Sequence, residues 1–347
     1  MYRLIATFIV FSIALTMFAQ DEIPKEDPIW NQINKLAQEY WELDSPTKDD
    51  VKKLVEALQQ YIDGSKLTTD RQKIAVNLLI SIFKKQNMFE NILKLTEKFI
   101  AEVDDQSQLQ HLLILDKLEA QLNLGKYEDL LKQSDELLKS LKKAEITDEI
   151  RLFQVKAYVY KAKTLIMLKK EDSDNIIKEI DKIIKAFENK TNILKIKFER
   201  TDLQRFIVLH PGAKLDDWSA LDFNNETVHF SDFTGKKVVL FFWASWEGKC
   251  TYFFEKKIEK FLKKLANQNI EFIAISTEST EKQKQFLEDA EFNCTFLHDK
   301  QSTITRKYYV ESLPYFVYVD EKANVINSGN LDYFTTLNDS IIEKEDK

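Results

Sequence analysis

The sequence predicts a two-part chain, an all-α N-terminal half followed by an α/β C-terminal half. Three observations carry this. No proline occurs between Pro46 and Pro211, and only Gly64 and Gly125 interrupt that stretch. Apolar residues there recur at helical spacing. After Pro211-Gly212 the pattern changes to short apolar runs alternating with amphipathic segments, as α/β folds require. The boundary is therefore placed at the proline–glycine pair.

The chain begins with Arg3 and an apolar run, Leu4 to Phe18, then Ala19 and the polar Gln20-Asp21-Glu22. A positive start, a short apolar core and a small residue before a polar segment are the marks of a secretory signal peptide over residues 1–20. The run is short of the roughly 20 residues of a membrane span. The expected location is periplasmic or secreted, or membrane-anchored through residues 4–18 if the segment is not cleaved. No cysteine lies near the cleavage point for a lipid anchor.

Residues 21–207 are expected to be helical. Leu112, Leu115, Leu118 and Leu122 form one stripe, Leu130, Leu131, Leu137 and Leu138 another, and Ile176, Ile177, Ile180, Ile183 and Ile184 a third. A repeat is visible in three helix–turn–helix units. Phe83 to Phe89 leads into Glu90-Asn-Ile-Leu, Leu122-Asn-Leu-Gly-Lys-Tyr127 into Glu128-Asp-Leu-Leu, and Leu165 to Lys170 into Asn175 to Phe187. The Leu-Gly-Lys-Tyr-Glu turn resembles a tetratricopeptide repeat, although the spacings of roughly 38 and 46 residues exceed that family's period of about 34. The expectation is tetratricopeptide-like hairpins offering a concave surface to a protein or peptide partner. A plain helical bundle is the alternative.

Composition narrows the function. The net charge of −7 leaves no basic footprint for nucleic acid. His111, His210, His229 and His298 are scattered without metal-ligand spacing and read as surface or loop residues. Nothing calls for a cofactor. The two cysteines, Cys250 and Cys294, cannot make a dense disulfide framework, so packing must hold the fold.

In the C-terminal half, Val238 to Phe242 reads as a buried central strand. A helix follows with Cys250, Phe253, Phe254, Ile258, Phe261, Leu262 and Leu265 on one face. Phe272 to Ser276 is a second strand, Glu281 to Ala290 a helix, and Tyr315 to Val319 a third strand turning into Val325-Ile326. Residues 341–347 form a charged tail.

Pro211-Gly212, Leu215-Asp-Asp-Trp-Ser-Ala-Leu and Val228 through Trp243-Ala-Ser-Trp246 resemble the opening of TlpA-type thioredoxin-like proteins, kin of the redoxin and peroxiredoxin group. Tyr308-Tyr-Val-Glu-Ser-Leu-Pro314 and the strand to Asp320 are similar to that family's later segment. The resemblance spans residues 211–340 and implies a thioredoxin fold. It implies that Trp246 precedes the Cys-x-x-C motif, that Cys250 is the resolving cysteine, and that Leu313-Pro314 carries the cis-proline, with Trp246, Leu313 and Pro314 lining a binding groove. Glu247 stands where the family has its nucleophilic cysteine. That cysteine works as a thiolate at a helix N-terminus, and a carboxylate cannot attack a disulfide. Phe241 stands where thioredoxins carry a buried acid, and Phe253 where TlpA-type proteins often carry Glu. Where the peroxiredoxin motif needs Pro and Thr or Ser, this chain has Trp243 and Glu247. The first functional reading is a partner- or peptide-binding module with reduced or lost thiol–disulfide exchange. The second is an enzyme, a monothiol oxidoreductase or peroxiredoxin-like antioxidant acting through Cys250, with Cys294 a conceivable resolving thiol.

Overall fold

The computed structural model describes residues 27–43, 47–63, 69–104, 107–170, 173–186, 193–287 and 292–330. The expected signal segment and the tail 341–347 lie outside them. The chain divides into two compact units between Thr164 and Leu165.

Unit 1 is helical: α1 (Pro28–Glu42), α2 (Lys48–Ile62), α3 (Asp70–Lys85), α4 (Phe89–Ile100), α5 (Gln108–Asn123), α6 (Tyr127–Leu141) and most of α7 (Asp148–Met167). Their starts are written in the sequence. Asp27 accepts from the Trp30 N–H ahead of Pro28 in the first turn. Thr47 with Asp50, and Thr69 with Gln72, form reciprocal capping boxes. From α1 to α6, each helix packs on the next. They enclose a core that includes Leu54, Leu58, Leu79, Phe83, Ile92, Phe99 and Leu113.

The three repeated turns share one backbone solution. Asn87, Gly125 and Lys169 all have φ between 54° and 69°. At each, the next N–H reaches back to the helix: Met88 to Phe83 O at 2.8 Å, Lys126 to Gln121 O at 2.9 Å, Lys170 to Leu165 O at 2.9 Å. This is the Schellman closure of a helix C-terminus. Across α3, α5 and α7, the Lys84 ammonium meets Asp116 at 2.7 Å and Glu119 at 2.6 Å, and the Tyr160 hydroxyl donates to Glu119 at 3.1 Å. His111, expected at the surface, is buried in α5 beside Phe153.

Unit 2 contains α8 (Ser173–Ala186), α9 (Ile193–Leu209) and a seven-stranded sheet. The strands are β1 (Ser219–Leu221), β2 (Thr227–His229), β3 (Lys237–Phe242), β4 (Ile270–Ser276), β5 (Thr295–His298), β6 (Tyr315–Val319) and β7 (Val325–Asn330), in the order β2-β1-β5-β4-β3-β6-β7. β3, β4 and β5 are parallel; β6 runs antiparallel to β3. The helices are α10 (Gly248–Lys256), α11 (Ile258–Asn267), α12 (Thr280–Leu287) and α13 (Thr303–Lys307). Strand β3 is buried on both faces, which explains its unbroken apolar run. Val239 and Phe241 pack with α10 and α11, whereas Val238, Leu240 and Phe242 pack with Trp218, Phe230 and Tyr308.

Two expectations need correction. The helix after β3 is not continuous: Lys257, at φ −128°, separates α10 from α11. Ile258, Phe261 and Leu265 are nonetheless buried in the same core as Phe253 and Phe254. The proline–glycine pair also does not end the preceding packing unit. Gly212, at φ 88°, turns the chain onto the sheet edge, where its N–H bonds Val325 O at 2.7 Å. Helix α9 stays with the sheet: Leu209 is buried in the sheet core, and its carbonyl accepts from the Ser328 hydroxyl at 3.2 Å. A compact unit therefore reaches back beyond residue 207, because α9 buries its last turn there.

Candidate functional site

The site lies where β3 ends and β6 begins. Phe242 pairs with Tyr315, so Trp243 and Ala244 leave the sheet at the end where Leu313-Pro314 enters it. The Leu313–Pro314 peptide bond is cis, as the resemblance implied.

Trp243 is buried, its ring 4.6 Å from that of Phe254 and 5.5 Å from that of Phe286. The chain then swings outward and Trp246 is 71% exposed. The swing is held from β4. Glu278 follows the end of that strand, and its carboxylate accepts the Ser245 N–H at 2.6 Å and the Ser245 hydroxyl at 2.9 Å. The Gln283 amide in turn donates to the Glu278 carbonyl at 2.8 Å.

Glu247 is the N-cap of α10. Its side chain accepts from the Lys249 N–H at 3.2 Å, and its carbonyl from the N–H groups of Cys250 and Thr251. The first turn of a helix presents unpaired donors that stabilise negative charge. Here a carboxylate already occupies that place.

Cys250 is fully buried. Burial pushes its thiol up to about 12, and the Glu247 and Glu278 carboxylates push the same way; a backbone hydrogen bond at Ala244 and the Lys249 charge oppose them. A buried thiol surrounded by net negative charge stays protonated at neutral pH. Cys294 packs against the same aromatic core, and burial raises it to about 12 as well. Both cysteines are free thiols.

Phe241 and Phe253, singled out separately in the sequence, touch. Their ring centroids lie 4.8 Å apart, with Phe316 at 4.7 Å and Phe272 at 5.6 Å from Phe241. Where the resemblance implies ionisable side chains, this chain has a packed aromatic nest. Such a nest can exclude water and hold α10 on the sheet, but it cannot carry a proton.

The structure thus gathers Glu247, Cys250, Phe241, Phe253, Leu313 and Pro314 at or just behind one end of the sheet, with Trp246 projecting from it. Sequence reading missed Glu278 and also Arg205, in α9, whose guanidinium donates to the Tyr309 carbonyl at 3.3 Å. Glu278 carried a usable signal, since it follows the carboxyl end of a parallel strand, where α/β folds place their sites. Arg205 carried none. Among the described residues no group of His, Cys, Asp and Glu could hold a metal ion, and no helix is long and apolar enough to cross a membrane.

Residues 211–328 match the model of the AhpC/TSA family. The C-terminal part of the chain is thus a thioredoxin-like redoxin domain. Among solved structures, this chain is similar to a putative thiol:disulfide interchange protein DsbE of Chlorobium tepidum, at 23% identity and a TM-score of 0.35, covering 38% of this chain and 96% of that one. It is also similar to a putative thiol-disulfide oxidoreductase of Bacteroides vulgatus, at 26% identity and 0.33, covering 39% and 98%. A third is the peroxidoxin BcpB of Mycobacterium tuberculosis, at 22% identity and 0.34, covering 39% and 96%. Comparison with curated proteins gives no match. The redoxin domain accounts for the sheet and its helices, and the helices of unit 1 lie outside the match.

Proposed function

We propose that the protein is an exported binding module. Its redoxin domain keeps the groove at Trp246, Leu313 and Pro314 for a protein or peptide partner and has given up dithiol–disulfide exchange. The observation that carries this reading is the state of the motif. The nucleophile's place holds Glu247, engaged as a helix cap, and the remaining thiol, Cys250, is buried and shifted up to about 12. Single-thiol chemistry through Cys250 would need a thiolate at neutral pH, and burial works against one.

The exposed Trp246 supports the binding half, because large aromatic side chains at the surface are favoured anchors for partners. The helical half is taken as tetratricopeptide-like, supported by the three equivalent turns at Asn87, Gly125 and Lys169. Export rests on the pattern of residues 1–20. Sequencing the N-terminus of the mature protein tests it, and a chain still starting at Met1 in the exported fraction would rule out cleavage.

The chemical half is tested by insulin reduction with dithiothreitol as the electron source. The wild-type protein is expected to be inactive and Glu247→Cys to gain measurable turnover, since it restores a cysteine at a helix start one turn from Cys250. Turnover should remain incomplete, because acid–base assistance worth about 10²–10⁴-fold is missing. Wild-type turnover that Cys250→Ala abolishes would overturn the proposal.

A further inference from the structure

We propose that Arg205, which lies ahead of the matched redoxin domain, is a positioning residue for the partner groove and holds the cis-proline loop in its binding geometry. The proposal rests on the reading of that groove as a peptide-binding site and adds what sets its shape.

The loop in question runs from Tyr309 to Tyr315. Tyr309 has a left-handed backbone, φ 53°, and the loop closes on the cis Leu313–Pro314 bond before β6. Pro314 has no N–H, so the backbone gains no ladder bond there. Helix α9 grips both ends. The Arg205 guanidinium donates from Nη1 to the Tyr309 carbonyl at 3.3 Å, and lies 5.3 Å from the centre of the Tyr315 ring. Its other nitrogen, Nη2, is fixed by Asp202 one turn earlier, at 2.7 Å. The Arg205 side chain is only 12% exposed. One turn further on, the Leu209 carbonyl accepts from the Ser328 hydroxyl, which also pairs with the Tyr315 hydroxyl at 3.2 Å.

A planar fork can serve a carboxylate, a carbonyl and a ring face together; a lysine ammonium is a single point charge and cannot. Binding constellations tolerate little more than about 0.5 Å of drift. An extended peptide that pairs with the backbone around Leu313 would therefore lose affinity when the fork is removed.

The test uses the full chain carrying Glu247→Cys, with insulin as the probe. Arg205→Lys in that background is expected to raise KM for insulin about tenfold with kcat retained. It should also accelerate amide hydrogen exchange in residues 309–313 about tenfold relative to the rest of the sheet. Asp202→Asn, which leaves Arg205 in place but frees its fork, should move both in the same direction by less, and it replaces Arg205→Lys if that variant melts early. Faster exchange with an unchanged KM would make the contact merely structural and overturn the proposal, as would no change in either. A silent Glu247→Cys chain with Arg205 intact would instead overturn the groove reading itself.

Discussion

At the end of β3 the two walls of the site are built from different material. On the β6 wall stand a cis peptide bond and a braced loop, which are features of shape. On the α10 wall, the positions expected to handle protons and electrons are Glu247, Phe241 and Phe253, and the remaining thiol is sealed. Shape depends on backbone contacts spread over many residues, from Ser328 to Arg205. Redox chemistry depends on one thiolate and its proton partners, so single substitutions remove it. On the proposed reading, a binding surface and a reaction are separated within one fold.

The contrast breaks most visibly at Phe241. Replacing it with Asp, the residue type that would restore ionisable chemistry, opens the aromatic nest and buries a charge. We expect a loss of at least about 3–5 kcal/mol, the usual cost of removing a buried phenylalanine, read as a fall in the urea midpoint. A stable Phe241→Asp protein would show that the α10 wall is not core.

The next largest effect concerns the β6 wall. A fragment of residues 193–347 should melt cooperatively and above a fragment of 211–347. The shorter one loses the burial of Leu209 and the Arg205 and Ser328 contacts, together worth about 2–4 kcal/mol. Equal melting temperatures would mean that α9 only leans on the sheet.

A smaller effect appears with pH. The folded Cys250 thiol is raised to about 12 from a value of 9.0. Its contribution to stability is therefore fully present below about pH 9 and lost as pH rises from there towards 12. The alkaline loss of stability should be shallower in Cys250→Ala than in wild type. Iodoacetamide should leave Cys250 unmodified at pH 8 in the native protein and label it in urea. Rapid native labelling would reinstate a reactive thiol.

The smallest stability effect is at Trp246, which is 71% exposed. Trp246→Ala should change stability by less than about 0.5 kcal/mol, yet raise KM for insulin in the Glu247→Cys background. A large stability loss would reassign Trp246 from binding to packing.

Much of this arrangement was legible because it is local. The β3 run, the turn at Pro211-Gly212 and the Leu313-Pro314 pair declare themselves within a few neighbours. The contact between Phe241 and Phe253 was half legible, as both substitutions showed but not that the rings meet. What stayed hidden is long-range. Glu278 reaches Ser245 across 33 residues and Arg205 reaches Tyr309 across 104, and no periodicity encodes such a meeting. The break at Lys257 was hidden for another reason. Ile258, Phe261 and Leu265 keep a helical spacing through it, so the apolar pattern reads as continuous.

The three turns of the helical half have a consequence for how such a turn can be found in a sequence. An asparagine, a glycine and a lysine close the same loop with the same mirror-image torsion. Glycine adopts that torsion freely and asparagine tolerates it, whereas Lys169 holds it against the preference of its side chain. The three turns are thus alike in main-chain torsion and not in residue type. A search for further copies in other chains would do better to match the handedness of the turn and the backward reach of the following amide than any residue at the turn itself.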